Sequence, residues 1–187
     1  MFREEKGSVV SLIAKLTEVY KWNAAHEYIV AAQFNKTTIA NFVRNSKIIL
    51  RNDAEEMMQR LHHLGIPLIV FSAGIGNIIE MFLQQKLGQM PTNIHIISNM
   101  MNFNDKGIVE SFSQPLIHTF NKNSSVIPEE VDFFHKVRKR IGFYNSETDN
   151  LLNQYLNVYD IVLVRDQTMD VPDYIVQIIA GSHLHFV

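Results

Sequence analysis

Apolar residues recur every three or four positions through the first part of the chain, which is the spacing of one face of a helix. The pattern begins near Ser8, runs to Asn35 and predicts helical structure over this range. Its apolar positions form two successive sets: Val9, Leu12, Ile13, Leu16 and Val19, then Trp22, His26, Ile29 and Val30.

Two shorter helices are predicted before residue 65 from their capping residues. The first runs through Phe42 with Thr37 or Thr38 as its cap, and the second runs from Ala54 to His63 with Asn52 or Asp53 as its cap. The first sixty residues are therefore predicted to be mainly helical.

After residue 65 the pattern alternates between short apolar runs and amphipathic stretches, which favours an α/β sheet with a helical element attached. The predicted elements are a strand at Ile66–Phe71, a helix at Gly74–Leu87 ended by Gly88, a strand at Asn93–Ser98, a turn at Asn104–Gly107 leading into Ile108–Phe112, a helix from Pro128 or Glu129 through Val137, a helix at Asn145–Tyr155, a buried strand at Asp160–Val164 and a helix at Val171–Ile179.

Composition narrows the class of protein. The chain has 187 residues and a formal net charge of −2, which suits one domain, or one domain with a small insert, and gives no indication of a nucleic-acid or membrane partner. It has no cysteine, which excludes disulfides and thiolate chemistry. We find no apolar run of membrane-spanning length and no signal-peptide pattern, so we expect a cytoplasmic location.

The segment from Ile66 to Gly76 carries the first candidate chemistry. It reads as an apolar strand, then Ser72, then the small residues Ala73 and Gly74 before an amphipathic stretch. A hydroxyl and open backbone N–H groups at a helix N-terminus can bind a phosphate. The alternative is an ordinary strand-to-helix turn with Ser72 as the N-cap.

Lys122 is the second candidate, because a lysine can supply the point charge that neutralises a phosphoryl oxygen. It stands about fifty residues after Ser72 and follows Leu116–Asn121. The alternative is a solvated loop lysine. The eight histidines form no strong metal-binding pattern, so no metal ligand is assigned.

Several separated blocks together resemble the cytosolic pyrimidine 5'-nucleotidase family (type III), a branch of the haloacid-dehalogenase-like phosphatases. They are Phe71–Gly76, Asn99–Asn104, Thr119–Ser125, Ile141–Asn145 and Tyr155–Val164, and the resemblance covers roughly Trp22 to Gln177. It implies a Rossmann-type α/β sheet, incomplete here, with residues 1–60 as a helical cap-like region and residues 61–187 as the core.

The resemblance also implies roles for individual residues. The Ser72 hydroxyl and the Ala73 N–H would bind the substrate phosphate, and Lys122 would contact it. Trp22 and His26 match an aromatic residue and a histidine of the cap that closes over the nucleobase, which makes Trp22 a candidate for stacking on the base or, equally, a packed core residue. Ala25 stands where the family often has a small hydroxyl residue. Glu18 is the acid nearest to the position of the family's acidic residue that recognises the base.

Two motifs implied by the resemblance are absent from this sequence. The aspartate nucleophile and general acid, in a pattern like Asp-Phe-Asp-x-Thr, do not occur. The Gly-Asp-Ser-x-Gly-Asp block that holds Mg²⁺ should fall between Arg140 and Ile141, which join directly. No catalytic residue is therefore assigned, and Mg²⁺ is expected only by resemblance. Loss of the nucleophile should lower the rate by roughly several orders of magnitude.

Two functional hypotheses follow. The first is a magnesium-dependent 5'-nucleotidase acting on pyrimidine, or 7-methylguanosine, monophosphates. The second is a catalytically silent family member that binds nucleotide or phosphate, or pairs with a full-length relative through exposed sheet edges.

Overall fold

The structure, a computed structural model, describes residues 9–118, 121, 141–145 and 152–181. Its helices are α1 (Val9–Ala31), α2 (Lys36–Arg44), α3 (Ala54–His63), α4 (Gly76–Leu87), α5 (Leu152–Val158) and α6 (Asp170–Ile179). Its strands are β1 (Leu68–Ile75), β2 (Ile94–Asn99), β3 (Met101–Phe103), β4 (Val109–Phe112), β5 (Ile141–Tyr144) and β6 (Ile161–Val164). Within these residues the strands pair as β1–β2, β3–β4 and β5–β6.

The N-terminal helices follow the apolar spacing closely. The two predicted apolar sets lie on one 23-residue helix, α1. The cap predicted for the next helix is wrong, because Asn35 is the N-cap and its side-chain oxygen accepts a hydrogen bond from Thr38 N at 2.8 Å. Asn35 has the extended backbone of an N-cap residue, and asparagine is among the strongest N-cap formers.

Strand β1 and helix α4 differ from the prediction at their junction. The strand was predicted to end at Phe71 and the helix to begin at Gly74, whereas β1 continues to Ile75 and α4 begins at Gly76. Tertiary hydrogen bonds to the carbonyl groups of Ala73 and Gly74 hold this stretch extended. The small residues at Ala73 and Gly74 do not by themselves indicate that Ser98 and Asn99 will donate to their carbonyl groups.

Around this junction the chain forms one compact unit, made of Met1–Ser46, Val70–Gln89 and Ile96–Ile127. The predicted hairpin is confirmed: β3 pairs antiparallel with β4, and Asn104 Oδ1 accepts hydrogen bonds from Lys106 N and Ile108 N in the turn. Helix α1 packs on β4, and α2 packs on α4. Among the described residues of this unit, the buried apolar side chains are Ile39, Val43, Met81, Phe82, Leu83, Ile97, Met101, Val109, Phe112 and Ile117.

The second compact unit contains Lys47–Ile69, Met90–His95 and Pro128–Val187. Here β5, which the sequence pattern did not predict, pairs in parallel with β6, and α5 packs on both strands. Helices α3 and α6 are in contact and share the Arg60–Asp173 ion pair at 2.9 Å. The prediction that Asp160–Val164 is a buried strand is wrong in one respect, since β6 is only half-buried and Val164 is exposed.

Some predictions stay untested. The helix predicted from Pro128 or Glu129 to Val137 lies outside the described residues, as do positions 146–151 of the helix predicted at Asn145–Tyr155. The division into residues 1–60 and 61–187 also stays a prediction. Among the helices that the structure describes, none is both long enough and apolar enough to cross a membrane.

Candidate phosphate-binding site

Ser72 lies inside β1, half-buried, rather than at a helix start. Its hydroxyl oxygen accepts a hydrogen bond from Gly74 N at 3.0 Å. The alternative interpretation of Ser72 as a helix cap is wrong, because Ile75 is the N-cap of α4 and makes no side-chain capping bond. The predicted placement of Ser72 at a helix N-terminus is wrong as well, since α4 begins four residues later.

Asn99 is the residue that organises the end of β1. It is 0% exposed, and its carboxamide nitrogen donates to Ala73 O at 2.9 Å, Gly74 O at 3.3 Å and Ile117 O at 2.9 Å. Its carboxamide oxygen accepts from Ile117 N at 2.8 Å. One buried side chain therefore joins the end of β1 to the segment that leads toward Lys122.

These bonds also set the direction of the peptide groups beside Ser72. A trans peptide points its carbonyl and its N–H in opposite directions. Because the carbonyls of Ala73 and Gly74 point to Asn99, the N–H groups of Gly74 and Ile75 point away from it. The N–H of Gly74 donates to the Ser72 hydroxyl. The backbone N–H groups of Gly74 and Ile75 therefore lie on the side of the strand that carries this hydroxyl.

Gly76 allows the close packing behind this strand end. A Cβ atom built at Gly76 would overlap Met100 Sδ and lie 3.2 Å from Ser98 Cβ. The Ser98 hydroxyl donates to Gly74 O at 2.8 Å, which adds a second tie to the same carbonyl. Next to it, buried Asn77 accepts from Met101 N at 2.6 Å. The start of α4 is therefore fixed against β2 and β3 by side-chain hydrogen bonds.

The loop before Lys122 is closed by Asn121. Its side-chain oxygen accepts from His118 N at 2.7 Å, and its side-chain nitrogen donates to Leu116 O at 2.7 Å. Ile117, between them, is the residue held by Asn99. Lys122 itself lies outside the described residues, so its predicted contact with a phosphate stays a prediction.

Trp22 and His26 lie on α1 in the same compact unit. Trp22 is half-buried, and its predicted role beside a nucleobase stays a prediction. His26 is buried and its ring stacks on Phe112, with ring centroids 3.9 Å apart and an interplanar angle of 5°. Burial lowers the pKa of His26. Ala25 is exposed.

The aspartates that follow β6 have local roles in the second unit. The Asp166 carboxylate accepts hydrogen bonds from the N–H and the hydroxyl of Thr168, both at 2.8 Å, and these bonds lower the pKa of Asp166. A hydrogen bond with Asp170 raises the pKa of Asp53, and burial and the negative charges of Asp170, Glu56 and Asp173 add to the shift. The acids nearest to β6 therefore serve turns and helix ends.

Within the described part of the chain, no three acidic or histidine side chains come together as a metal-binding group. The polar groups that surround Ser72 there are hydroxyls, carboxamides and peptide groups, whereas Mg²⁺ prefers carboxylates and phosphate oxygens. The described donors therefore do not fit a Mg²⁺ site, and we derive no catalytic step through this ion.

Asn99 is the main site residue that sequence reasoning missed, since its block Asn99–Asn104 was given no role beyond its resemblance to the family. A polar residue directly after an apolar strand was the available signal. Its buried bonds to Ala73 and Ile117 depend on residues 18 to 26 positions away, which no local pattern reports.

Comparisons with known proteins agree with this fold. The sequence model of the family described as Pyrimidine 5'-nucleotidase (UMPH-1) matches residues 10–141 and 136–180. A crystal structure of cytosolic 5'-nucleotidase IIIB bound to cytidine superposes with a TM-score of 0.72 at 26% identity, covering 97% of this chain and 68% of that chain.

Relatives of known sequence give the same assignment. A Caenorhabditis elegans protein named as a cytosolic 5'-nucleotidase 3 is 44% identical over 87% of this chain and 51% of its own length. The 7-methylguanosine phosphate-specific 5'-nucleotidases of Gallus gallus and Homo sapiens are 33% and 35% identical, over 84% and 83% of this chain. The chain spans 63% and 60% of their lengths.

The fold is therefore of the α/β haloacid-dehalogenase-like class, in an incomplete form. Within that class, the chain belongs to the pyrimidine 5'-nucleotidase family. The two stretches matched by the family model meet at residues 136–141, where the resemblance places the absent Gly-Asp-Ser-x-Gly-Asp block.

Proposed function

We propose that this chain binds the phosphate of a nucleoside 5'-monophosphate beside Ser72, as part of a 5'-nucleotidase that releases nucleoside and phosphate. Family membership supports the reaction class. The substrate would be a pyrimidine monophosphate such as CMP, or 7-methyl-GMP, since both kinds of name occur among the relatives. A cytoplasmic location is part of the same proposal, because one relative is named as cytosolic.

The observation that carries the proposal is the locked geometry around Ser72. The Gly74 N–H occupies one acceptor position of the Ser72 hydroxyl, and among the described residues nothing accepts the hydroxyl hydrogen. This hydrogen is available for a phosphate oxygen, beside backbone N–H groups that Asn99 turns toward the same side. Such preorganised donors bind an anion without reorganisation on binding.

Two further groups complete the proposed phosphate site. The N–H of Ala73 would donate to a second phosphate oxygen, and the Lys122 ammonium would neutralise its charge. Asn121 closes the loop immediately before Lys122, so this loop is anchored to the backbone of Leu116 and His118. Trp22 would stack on the nucleobase.

Turnover requires groups beyond these. The family resemblance implies that the reaction uses a carboxylate nucleophile, a proton donor and Mg²⁺. In this proposal Ser72, Ala73 and Lys122 bind and orient the phosphate, which is largely ground-state binding. We assign these roles to Ser72, Ala73 and Lys122, and the Mg²⁺ requirement to the complete enzyme.

Phosphate release tests the enzymatic proposal. Purified chain would be incubated with CMP and with 7-methyl-GMP, with and without Mg²⁺. Magnesium-dependent release that Lys122→Ala abolishes would support a nucleotidase with a carboxylate that replaces the missing nucleophile. Failure to release phosphate from a soluble, cooperatively folded sample would contradict turnover by these 187 residues.

A second candidate function is phosphate or nucleotide binding without turnover. The specific observation that favours it is the absence of both aspartate motifs from this sequence, together with the family match in two stretches that meet at residues 136–141. This candidate predicts saturable phosphate binding in the sample that releases none. A full-length relative is its candidate protein partner.

A further inference from the structure

Helices α2 and α4 are in contact within the first compact unit and leave an open groove of about 640 Å³ between them. This volume lies within the range of small-molecule sites. A hydrogen bond from Gln85 Nε2 to Ala40 O, at 3.2 Å, joins the two helices at the groove. Ala40 and the largely buried Met81 give it an apolar lining. The groove is therefore a concave surface whose two walls are tied together.

The charged side chains that line this groove are both positive. Lys36 begins α2 and Arg44 ends it, and both are exposed. Among the described residues, no aspartate or glutamate lines the groove, and no carboxylate forms an ion pair with either cation. Arg44 Nη1 donates only a long hydrogen bond, of 3.5 Å, to Asn41 Oδ1. The groove thus presents two positive charges that a described acidic side chain does not neutralise.

These two charges are spread along the groove. Lys36, Ala40 and Arg44 follow one another at intervals of four residues, so they lie on one face of α2. At the rise of an α-helix, the Cα atoms of Lys36 and Arg44 are about 12 Å apart. Long side chains on a helix lean toward its N-terminus, so the ammonium and the guanidinium keep a similar separation. A compact anion would meet one of these charges, whereas an elongated one would meet both.

We infer that the groove between α2 and α4 binds a small elongated dianion, an unbranched apolar chain with an acidic group at each end. One acidic group would pair with Lys36, and the other would accept two parallel hydrogen bonds from Arg44. The chain between them would cover Ala40 and Met81. This inference does not rest on the proposed function, because neither Ser72 nor Ala73 lines the groove.

Two matched probes test the inference in a calorimetric titration of the purified chain at low salt. Suberate is an eight-carbon chain with a carboxylate at each end, and octanoate is the same chain with one carboxylate. We expect saturable binding of suberate with a millimolar dissociation constant. Octanoate should bind about three- to fivefold more weakly, which is the ratio that one well-placed exposed ion pair supplies. Added salt should reduce this preference, because it screens exposed charges.

Variants at exposed positions assign the binding to the groove. Lys36→Ala should remove the preference for suberate over octanoate, and Arg44→Ala should weaken both ligands. Lys106→Ala, which removes an exposed cation outside the groove, is the control for net charge and should leave the affinity for suberate unchanged. Ser72→Ala should leave it unchanged as well.

Four results would overturn the inference. They are the absence of saturable suberate binding, equal affinities of the wild-type chain for the two probes, an equal loss of affinity in Lys36→Ala and Lys106→Ala, and a loss in Ser72→Ala, which would place suberate at the phosphate site instead.

Discussion

Asn99 makes four hydrogen bonds from a fully buried carboxamide, all of them to peptide groups of Ala73, Gly74 and Ile117. Replacing it by alanine would remove all four bonds, and the two at Ile117 lie in buried surroundings. We expect Asn99→Ala to lower the free energy of unfolding by about 2–4 kcal/mol, measured by urea denaturation.

The matched control is Asn102→Ala. Asn102 is exposed and donates to the Ser111 hydroxyl at 2.9 Å, so its loss should change the free energy of unfolding by less than about 0.5 kcal/mol. Equal effects of the two variants would show that Asn99 does not organise this region.

His26 should make stability depend on pH. Burial lowers its pKa below 6.5, the ordinary value, so the unfolded chain binds a proton that the folded chain resists. Stability from this source is therefore complete above pH 6.5 and decreases as the pH falls below it. Thermal unfolding between pH 5 and pH 8 should show this slope, and His26→Phe, which keeps an aromatic ring on Phe112, should reduce it.

His62→Gln provides the control for that experiment, because it replaces an exposed histidine of α3. It should retain the slope of the wild-type chain. If His26→Phe retains the slope as well, His26 is not the group responsible.

At the residue scale, the sequence identified Ser72 correctly as a hydroxyl beside small residues but misplaced it at a helix start. The extended backbone through Ile75 depends on Ser98 and Asn99, which are distant in sequence. Local patterns report caps and turns, such as Asn104 in its hairpin, because those hydrogen bonds connect residues only two to four positions apart.

At the scale of elements, β5 depends on a glycine. A Cβ atom at Gly142 would lie 2.5–2.9 Å from three ring atoms of Tyr159, closer than real side chains approach. Gly142→Ala should therefore displace Tyr159 and lower the free energy of unfolding by about 1–3 kcal/mol in a urea titration. Gly107→Ala is not a suitable control, since Gly107 has a positive φ.

The control for Gly142→Ala is the double variant Gly142→Ala with Tyr159→Leu, which removes the ring. If the steric explanation is right, adding Gly142→Ala to the Tyr159→Leu variant should lower the free energy of unfolding by less than adding it to the wild-type chain. Additive effects would contradict the steric explanation.

The start of α3 carries an unfavourable charge. Asp53 has a left-handed backbone with φ of 62°, and its hydrogen bond with Asp170 raises its pKa above 3.8. The folded chain thus binds the proton more tightly, so stability decreases as the pH rises above 3.8. Asp53→Asn keeps a residue that tolerates this backbone and should unfold at a higher temperature than wild type at pH 7.

Asp105→Asn, in the exposed turn between β3 and β4, removes the same charge elsewhere and tests whether net charge alone explains the gain. An equal increase in unfolding temperature in both variants would contradict a local effect at Asp53.

Helices were predicted well at this scale and strands less well. The ranges of α3 and α6 agree with the prediction to within one residue, because each has a strong amphipathic pattern. Strand β5 was missed, since Ile141–Tyr144 contains a glycine and is short. Its identity as a strand depends on its partner β6, which lies twenty residues further along the chain.

At the scale of the whole molecule, the family could be predicted from the sequence because several blocks occur in the right order. The absence of the two aspartate motifs could be predicted too, since it is seen directly in the sequence. The arrangement around Ser72 could not, because it depends on pairings among β1, β2 and the segment at Ile117.

The most direct test of the central claim is a calorimetric titration of the purified chain with CMP and with inorganic phosphate. We predict saturable binding with a millimolar dissociation constant for both ligands, weakened about tenfold by Ser72→Ala. Ser111→Ala, an exposed hydroxyl on β4, should leave it unchanged. No saturable binding, or equal affinity in wild type and Ser72→Ala, would contradict a phosphate site at Ser72.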